Sequence, residues 1–157
     1  TVIDLDIEEN TKLTICGDIH GQFADLSTIL RINGNPSPSN YYLFNGDFVD
    51  RGNNSVEVVL LLFAMKLSQP HHVFLNRGNH ESARMNMRYS FEQELYSKYE
   101  NVEKLNDLFQ QIFNLLPLIH IVQKRIMVVH GGISDETWPL SKIRTDLDRV
   151  RDIPVHP

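Results

Sequence analysis

The sequence predicts an α/β fold in which a β-sheet is covered on both faces. Short apolar runs at residues 13–16, 41–44 and 73–75 alternate along the chain with longer segments whose apolar residues recur at helical spacing. The runs are apolar throughout, which is typical of strands buried on both faces. Ligands in such folds bind at the carboxyl ends of the strands, and each run here is followed by polar residues and glycine.

Composition excludes several classes of protein. A chain of 157 residues with 41% hydrophobic and 22% charged residues is typical of one soluble globular domain. No apolar run approaches the roughly 18 residues of a membrane helix, and the first residues lack the pattern of a signal peptide. The net charge of −5 argues against binding to nucleic acid. Cys16 is the single cysteine, so a disulfide framework is excluded and a cytoplasmic or nuclear location is expected.

The first half of the chain is expected to alternate strands with helices. Residues 2–7 alternate apolar and acidic side chains and are interpreted as an edge strand. A helix follows the second strand and ends at Asn33, because Asn-Gly is a common helix stop. Asn54 or Ser55 is expected to cap the next helix through its side chain, and that helix ends before Pro70.

The second half is expected to form helices and one β-hairpin. The predicted elements are helices over 91–99, 102–116 and 140–150 and strands over 118–122 and 125–129, with a turn at Gln123-Lys124. Glu92, Glu94 and Lys98 are interpreted as an exposed helix face. His120 alternates with apolar neighbours, and we interpret it as a strand histidine whose hydrogen bonds are satisfied.

Chemistry-bearing side chains follow four of the predicted strands. They are Asp18, His20, Asp47, Asn79 and His130. Carboxylate, amide oxygen and imidazole together suit manganese, iron or zinc, and the set has too many nitrogen ligands for a calcium site. Asp47 lies in the middle of the set and is the candidate to bridge two ions. Asp18 and His20 would leave the same face of the backbone if the extended conformation continues that far.

Residues beside these candidate ligands suit phosphate chemistry. Two metal ions about 3.5–4 Å apart can hold a hydroxide and clamp the oxygens of a phosphate during in-line displacement. Arg51 offers a guanidinium group for the phosphate oxygens. His80 is placed to protonate the leaving alkoxide, and Asp50 is the carboxylate expected to orient it. Cys16 lies within a strand and is interpreted as an inert buried thiol.

Four ordered motifs point to a known family. They are Gly-Asp-Ile-His-Gly-Gln at 17–22, Gly-Asp-Phe-Val-Asp-Arg-Gly at 46–52, Arg-Gly-Asn-His-Glu at 77–81 and His-Gly-Gly-Ile-Ser at 130–134. This set resembles the calcineurin-like metallophosphoesterase superfamily and, more narrowly, the PPP class of serine/threonine protein phosphatases. The first motif with its preceding Thr-Ile-Cys, and the second motif with its following Val-Glu-Val, most resemble the protein phosphatase 5 branch. The resemblance extends from about residue 11 to about residue 150.

The resemblance implies a fold and a role for each candidate residue. The implied fold is a metallophosphoesterase-type sandwich of β-sheets flanked by helices, with residues 1–157 forming a partial catalytic domain, its N-terminal half. Asp18, His20 and Asp47 would hold one metal ion, and Asp47, Asn79 and His130 would hold the other. Arg51, Asn79 and His80 would contact the phosphate. His80 would act as the general acid, with Asp50 as its partner.

The implied activity is hydrolysis of phosphoserine and phosphothreonine in proteins, with metal-bound hydroxide as the nucleophile. Mn²⁺ is the ion expected in vitro, with iron and zinc as alternatives. The expected partners are phosphoprotein substrates and regulatory or targeting proteins, with no nucleic acid and no membrane. One alternative is a dinucleoside-polyphosphate or phosphodiester hydrolase with the same metal core.

A second alternative is a non-catalytic fragment of a phosphatase. Catalytic domains of the PPP class are longer than this chain, and their second half supplies a further histidine and a further arginine. His156 lies in a different context, and Arg144, Arg149 and Arg151 fall in a predicted helix, so none of them matches those positions.

Overall fold

The computed structural model describes residues 1–132 and 139–147 and has an α/β architecture of two three-stranded sheets with helices. In order, the elements are β1 (Val2–Leu5), β2 (Lys12–Cys16), α1 (Phe23–Asn33), β3 (Asn40–Phe44), α2 (Ser55–Ser68), β4 (Val73–Leu75), α3 (Ala83–Arg88), α4 (Phe91–Lys98), α5 (Val102–Leu115), β5 (Ile119–Val122), β6 (Ile126–Val129) and α6 (Leu140–Leu147). The predicted class and the predicted pair of sheets are confirmed. None of the helices within these residues is long and apolar enough to span a membrane.

The first sheet is parallel and brings three strand ends to one edge. Its order is β2-β3-β4, and the register pairs Cys16 with Phe44 and Phe44 with Leu75. Because the three strands end level with one another, the segments that follow them start from neighbouring positions.

The two faces of this sheet are covered differently. On β3, Tyr42 and Phe44 pack into the core formed with α1, α2, α4 and α5, whereas Leu43 packs against Leu5 and Val128 of the other sheet. Successive side chains of a strand point to opposite faces, so one apolar run serves both cores. Both faces of this sheet are therefore covered, as expected, one by helices and the other by the second sheet.

The second sheet has the order β1-β5-β6. β1 is an edge strand parallel to β5, as expected of residues 2–7, and β5 and β6 form the predicted antiparallel hairpin. Gln123 and Lys124 have φ values of 51° and 55° and lie at the centre of a tight turn, in which the N–H of Arg125 donates to the carbonyl of Val122 at 3.0 Å. The hairpin returns the chain so that β6 ends next to β3, with Asn45 Nδ2 donating to the carbonyl of Val129 at 3.2 Å.

The start of α2 is capped from another helix. Neither Asn54 nor Ser55 caps it through its side chain. Instead, the carboxylate of Glu94 in α4 accepts the N–H groups of Ser55 at 3.0 Å and Val56 at 2.9 Å. Glu94 is therefore only 8% exposed, and its assignment to an exposed helix face is wrong. Sequence spacing within α4 cannot reveal a partner in α2.

The remaining differences concern helix existence and length. α3 has no counterpart among the predicted helices, because its sequence has two arginines and an asparagine and too few turns for a periodic apolar pattern. α6 begins at the predicted residue and is described as far as Leu147, while residues 148–150 of the predicted helix lie outside the described residues.

Candidate metal centre

The segments that follow β2 and β3 are joined by backbone hydrogen bonds. The N–H groups of Ile19 and His20 both donate to the carbonyl of Asp47, at 3.0 and 2.9 Å. The N–H of Gly21 donates to the carbonyl of Phe48 at 2.8 Å. The first two motifs therefore form one hydrogen-bonded unit at the sheet edge.

Glycines allow these segments to lie in backbone contact. A Cβ added to Gly46 would meet the backbone of Gly78, and a Cβ added to Gly78 would meet the backbone and carboxylate of Asp47. A Cβ on Gly52 would likewise meet the backbone of Gly21. The second motif is thus packed against the first and the third with no room for a side chain between them.

Four predicted site residues adopt left-handed backbone conformations, namely His20, Asp47, Asp50 and Arg51, with φ between 45° and 68°. Such conformations are uncommon outside glycine and are concentrated at functional sites. The extended conformation of β2 ends at Cys16, so Asp18 and His20 meet through a turn and not along a continuing strand.

The five predicted ligands meet around the carboxylate of Asp47. Asp47 Oδ2 lies 3.5 Å from His20 Nε2 and 3.3 Å from His130 Nε2. Asp18 Oδ2 lies 3.7 Å from His20 Nε2, and Asn79 Oδ1 lies 3.0 Å from His130 Nε2. Asp47 therefore stands between the two expected ligand sets and contacts a member of each.

The tautomers of the two histidines indicate that cations fit this arrangement. A carbonyl can only accept, so His20 donates from Nδ1 to Val49 at 2.8 Å and His130 donates from Nδ1 to Asn45 at 2.7 Å. The Nε2 lone pairs then face the oxygens of Asp47 and the neighbouring ligands. His20 Nε2 is buried and has no hydrogen-bond partner. Acceptors that face one another need positive charge between them, and a backbone carbonyl behind each imidazole is typical of metal sites.

Two groups of potential ligand atoms share Asp47. One contains Asp47 with His20 and His80, the other contains Asp47 with Asp18 and His130, and the ligand atoms in each group lie within 4.8 Å of one another. The donor set and these distances fit divalent metal ions at two neighbouring positions.

The buried carboxylate of Glu81 binds the backbone at Asp47 and its neighbours. Glu81 is fully buried and accepts the N–H groups of Asp47, Phe48 and Gly78 at 2.7, 2.8 and 2.8 Å. Burial raises the pKa of Glu81 to about 7, although its backbone donors favour the charged form. Glu81 belongs to the third motif, but the sequence alone indicates no role for it.

The predicted acid pair is formed next to the candidate ligands. His80 Nδ1 lies 2.8 Å from Asp50 Oδ2, and both side chains are buried. The backbone N–H of His80 donates to Asp47 Oδ1 at 2.9 Å, and its ring stands edge-on to that of His20 at 4.7 Å. The second ring nitrogen of His80 is therefore the one available to the centre.

Tyr89 lies beside both His80 of this pair and Arg51. The Tyr89 ring lies 4.8 Å from the His80 ring, and the guanidinium carbon of Arg51 lies 6.0 Å from the Tyr89 centroid. Arg51 is exposed and makes no ion pair within the part of the chain that the structure describes. No sequence signal points to Tyr89, because a single tyrosine after a polar helix has no diagnostic pattern.

A buried polar network holds the strand that carries His130. Asn76 Nδ2 donates to Asn45 Oδ1 at 2.7 Å and to the carbonyl of Val128 at 3.1 Å, while Asn76 Oδ1 accepts from His120 Nδ1 at 2.7 Å. The satisfied state predicted for His120 is confirmed. Burial, with a smaller contribution from the charge of Lys66, lowers the pKa of His120 to about 4.

Of the distal histidine and arginines, Arg144 alone lies among the described residues. Arg144 pairs with Asp4 at 2.6 Å, on the side of the second sheet. Arg149, Arg151 and His156 lie outside the described residues.

Comparison with known proteins gives consistent matches. The calcineurin-like phosphoesterase profile matches residues 11–156. Serine/threonine-protein phosphatase T of Aspergillus oryzae is 49% identical over 150 residues, which are 95% of this chain and 31% of that protein. Serine/threonine-protein phosphatase 5 of Arabidopsis thaliana is 48% identical over 155 residues, which are 98% of this chain and 28% of that protein.

A solved structure matches the fold closely. It is a protein serine/threonine phosphatase from Saccharomyces cerevisiae with similarity to human phosphatase PP5, and it superposes with a TM-score of 0.90 at 40% identity. The superposition covers 99% of this chain and 50% of the yeast chain. The chain thus spans half of that structure and under a third of the two curated relatives.

Proposed function

We propose, since the chain belongs to the calcineurin-like phosphoesterase family, that it acts in the hydrolysis of phosphoserine and phosphothreonine in proteins. The observation that carries the proposal is the carboxylate of Asp47 between two imidazole nitrogens that both present lone pairs. The names of the relatives, serine/threonine-protein phosphatases T and 5, support phosphoproteins as the substrate class.

The proposed metal positions use the residues gathered around Asp47. Asp18, His20 and Asp47 would hold one ion, and Asp47, Asn79 and His130 would hold the other. When bound, two such ions supply Lewis acidity at the phosphorus and lower the pKa of a water molecule. Manganese, iron and zinc all suit the mixed nitrogen and oxygen donors.

His80 would supply the proton that the leaving oxygen requires. Its Nδ1 is committed to Asp50, so the proton leaves from Nε2, on the side of the ring that faces the candidate ligands. The Asp50 carboxylate stabilises the protonated imidazole. Arg51 is the exposed cation beside this pair and would offset the charge of the phosphate oxygens.

The test is Mn²⁺-dependent hydrolysis of a phosphoserine peptide and of p-nitrophenyl phosphate, with Asp47→Asn as the blank for both substrates and His80→Ala as the blank for the peptide. Asparagine tolerates the left-handed conformation of residue 47, and its Oδ1 still accepts the N–H of His80, so the change removes mainly charge. We expect Asp47→Asn to lose Mn²⁺ binding and turnover together. His80→Ala should lose turnover of the peptide while retaining Mn²⁺, because the serine alkoxide needs a proton to leave.

Three outcomes would contradict parts of the proposal. Equal loss of Mn²⁺ and turnover in His80→Ala would reject its role as the acid. Faster hydrolysis of a dinucleoside tetraphosphate than of the phosphopeptide would favour the alternative substrate class. Full Mn²⁺ binding without turnover above the blanks would favour a non-catalytic role for this chain.

A further inference from the structure

We propose that Asn86 is a positioning residue that holds the Asp50–His80 pair in the geometry needed for proton donation. The inference rests on the proposed function, because it assigns Asn86 a part in the same reaction. Asn86 lies in α3, the helix that the sequence does not predict, and it is 1% exposed.

One amide group of Asn86 binds both members of the pair. Its Nδ2 donates to Asp50 Oδ2 at 3.0 Å and to the backbone carbonyl of His80 at 2.7 Å. Asp50 Oδ2 also accepts from His80 Nδ1, so the three residues form a closed ring of hydrogen bonds. The direction of the His80 ring is thereby coupled to the position of its own backbone.

The other oxygen of Asp50 is bound as well. Asp50 Oδ1 accepts the N–H groups of Ser90 at 3.1 Å and Phe91 at 2.8 Å, at the start of α4. These two donors fix Oδ1, and Asn86 and His80 share Oδ2. Removing Asn86 leaves His80 as the sole protein donor to that oxygen among the described residues, so the bond between Asp50 and the His80 ring is no longer tied to the His80 backbone.

Asn86 is itself held in one orientation by α5. Gln110 Nε2 donates to Asn86 Oδ1 at 2.9 Å and also to Asn106 Oδ1 at 3.3 Å. Because Gln110 occupies the oxygen of the Asn86 amide, the nitrogen of that amide must point toward Asp50. A buried amide with all of these partners has one arrangement, and that arrangement serves the acid pair.

Asn86 makes no hydrogen bond to any of the five candidate ligands in the described structure. Its loss should therefore impair proton donation and leave metal binding intact. Substrates with a poor leaving group depend on the general acid, whereas p-nitrophenolate leaves without its help. This difference separates a positioning role from a purely structural one.

The experiment compares Asn86→Ala and Gln110→Ala with the unchanged chain on a phosphoserine peptide and p-nitrophenyl phosphate. For Asn86→Ala we expect kcat on the peptide to fall about 100-fold, with little change on p-nitrophenyl phosphate and unchanged Mn²⁺ affinity by calorimetry. Gln110→Ala, which keeps Asn86 but releases its amide, should show a smaller loss with the same substrate dependence. Asn33→Ala, a helical asparagine in α1, is the matched control.

A parallel loss on both substrates, or weakened Mn²⁺ binding, would overturn the proposal. A second measurement does not require turnover. It follows the NMR resonance of the His80 Nδ1 proton in the ¹⁵N-labelled chain, which is assigned by its absence in His80→Gln. We expect Asn86→Ala to accelerate exchange of this proton with water and Asn33→Ala to leave it unchanged. If exchange in Asn86→Ala is as slow as in the unchanged chain, the proposal is rejected. This readout does not depend on activity, so it tests the role of Asn86 even where the proposed function fails.

Discussion

The segments after β2, β3 and β4 and the segment after β6 all present ligands and glycines, but they are held in different ways. In the first three, an added Cβ would strike neighbouring backbone at Gly21, Gly46, Gly52 and Gly78. After β6, an added Cβ at Gly131 or Gly132 meets no described atom within 4 Å. The first region is packed backbone against backbone. His130 is instead positioned by hydrogen bonds that cross from one sheet to the other.

This difference shows that similar motifs need not have similar physical support. Each motif follows a strand, contains polar residues and glycine, and carries a candidate ligand. The three packed segments depend on steric fit and on the buried carboxylate of Glu81. The fourth depends on the amides of Asn45 and Asn76 and on the neutral imidazole of His120.

The largest expected effect tests whether Asp47 links the two regions. Asp47→Asn should abolish binding of both Mn²⁺ ions, because its carboxylate faces the Nε2 atoms of His20 and His130. His130→Gln should lose one ion only, since Asp18 and His20 remain with Asp47. Calorimetric titration with Mn²⁺ gives both stoichiometries. Loss of both ions in His130→Gln would mean that the two positions are not separable.

A second comparison tests steric packing directly. Gly78→Ala should destabilise the fold by about 3 kcal/mol or more, because its Cβ would overlap Asp47 and approach Glu81. Gly131→Ala should stay within about 0.5 kcal/mol of the unchanged chain. Urea unfolding of the metal-free proteins measures both. Similar free energies of unfolding for the two variants would contradict the proposed difference between the regions.

Much of this organisation could be predicted from the sequence, and the resemblance to the PP5 branch of the phosphatases is confirmed by the relatives. Strand ends and motif residues are local signals, so residues such as Asp47 and His130 could be identified as candidates. Glu94 and Asn86 could not, because their partners are distant in sequence and their own spacing is that of a surface helix. Asn76 directly precedes the third motif and has no diagnostic pattern of its own, yet it joins the two sheets.

The hydrogen-bonded region should also be the acid-sensitive one. The pKa of His120 is about 4 in the folded chain against 6.5 for a free histidine, so the unfolded state binds more protons between these values. Stability should therefore fall as the pH is lowered through this window, by about 2 kcal/mol between pH 7.5 and pH 5 from His120 alone. Urea unfolding at both pH values measures the change. His120→Gln should remove this component, and His71→Gln, at an exposed position, should not.

The smallest effect concerns the helices behind the packed region. Glu94→Gln leaves one oxygen to accept from the two N–H groups at the start of α2, so one of them loses its partner. We expect a loss of about 1–2 kcal/mol in the free energy of unfolding at neutral pH. Glu92→Gln lies on the same helix and makes no hydrogen bond among the described residues, so it should change stability by less than about 0.5 kcal/mol. Equal effects of the two changes would mean that the carboxylate of Glu94 does not stabilise the start of α2 as a cap.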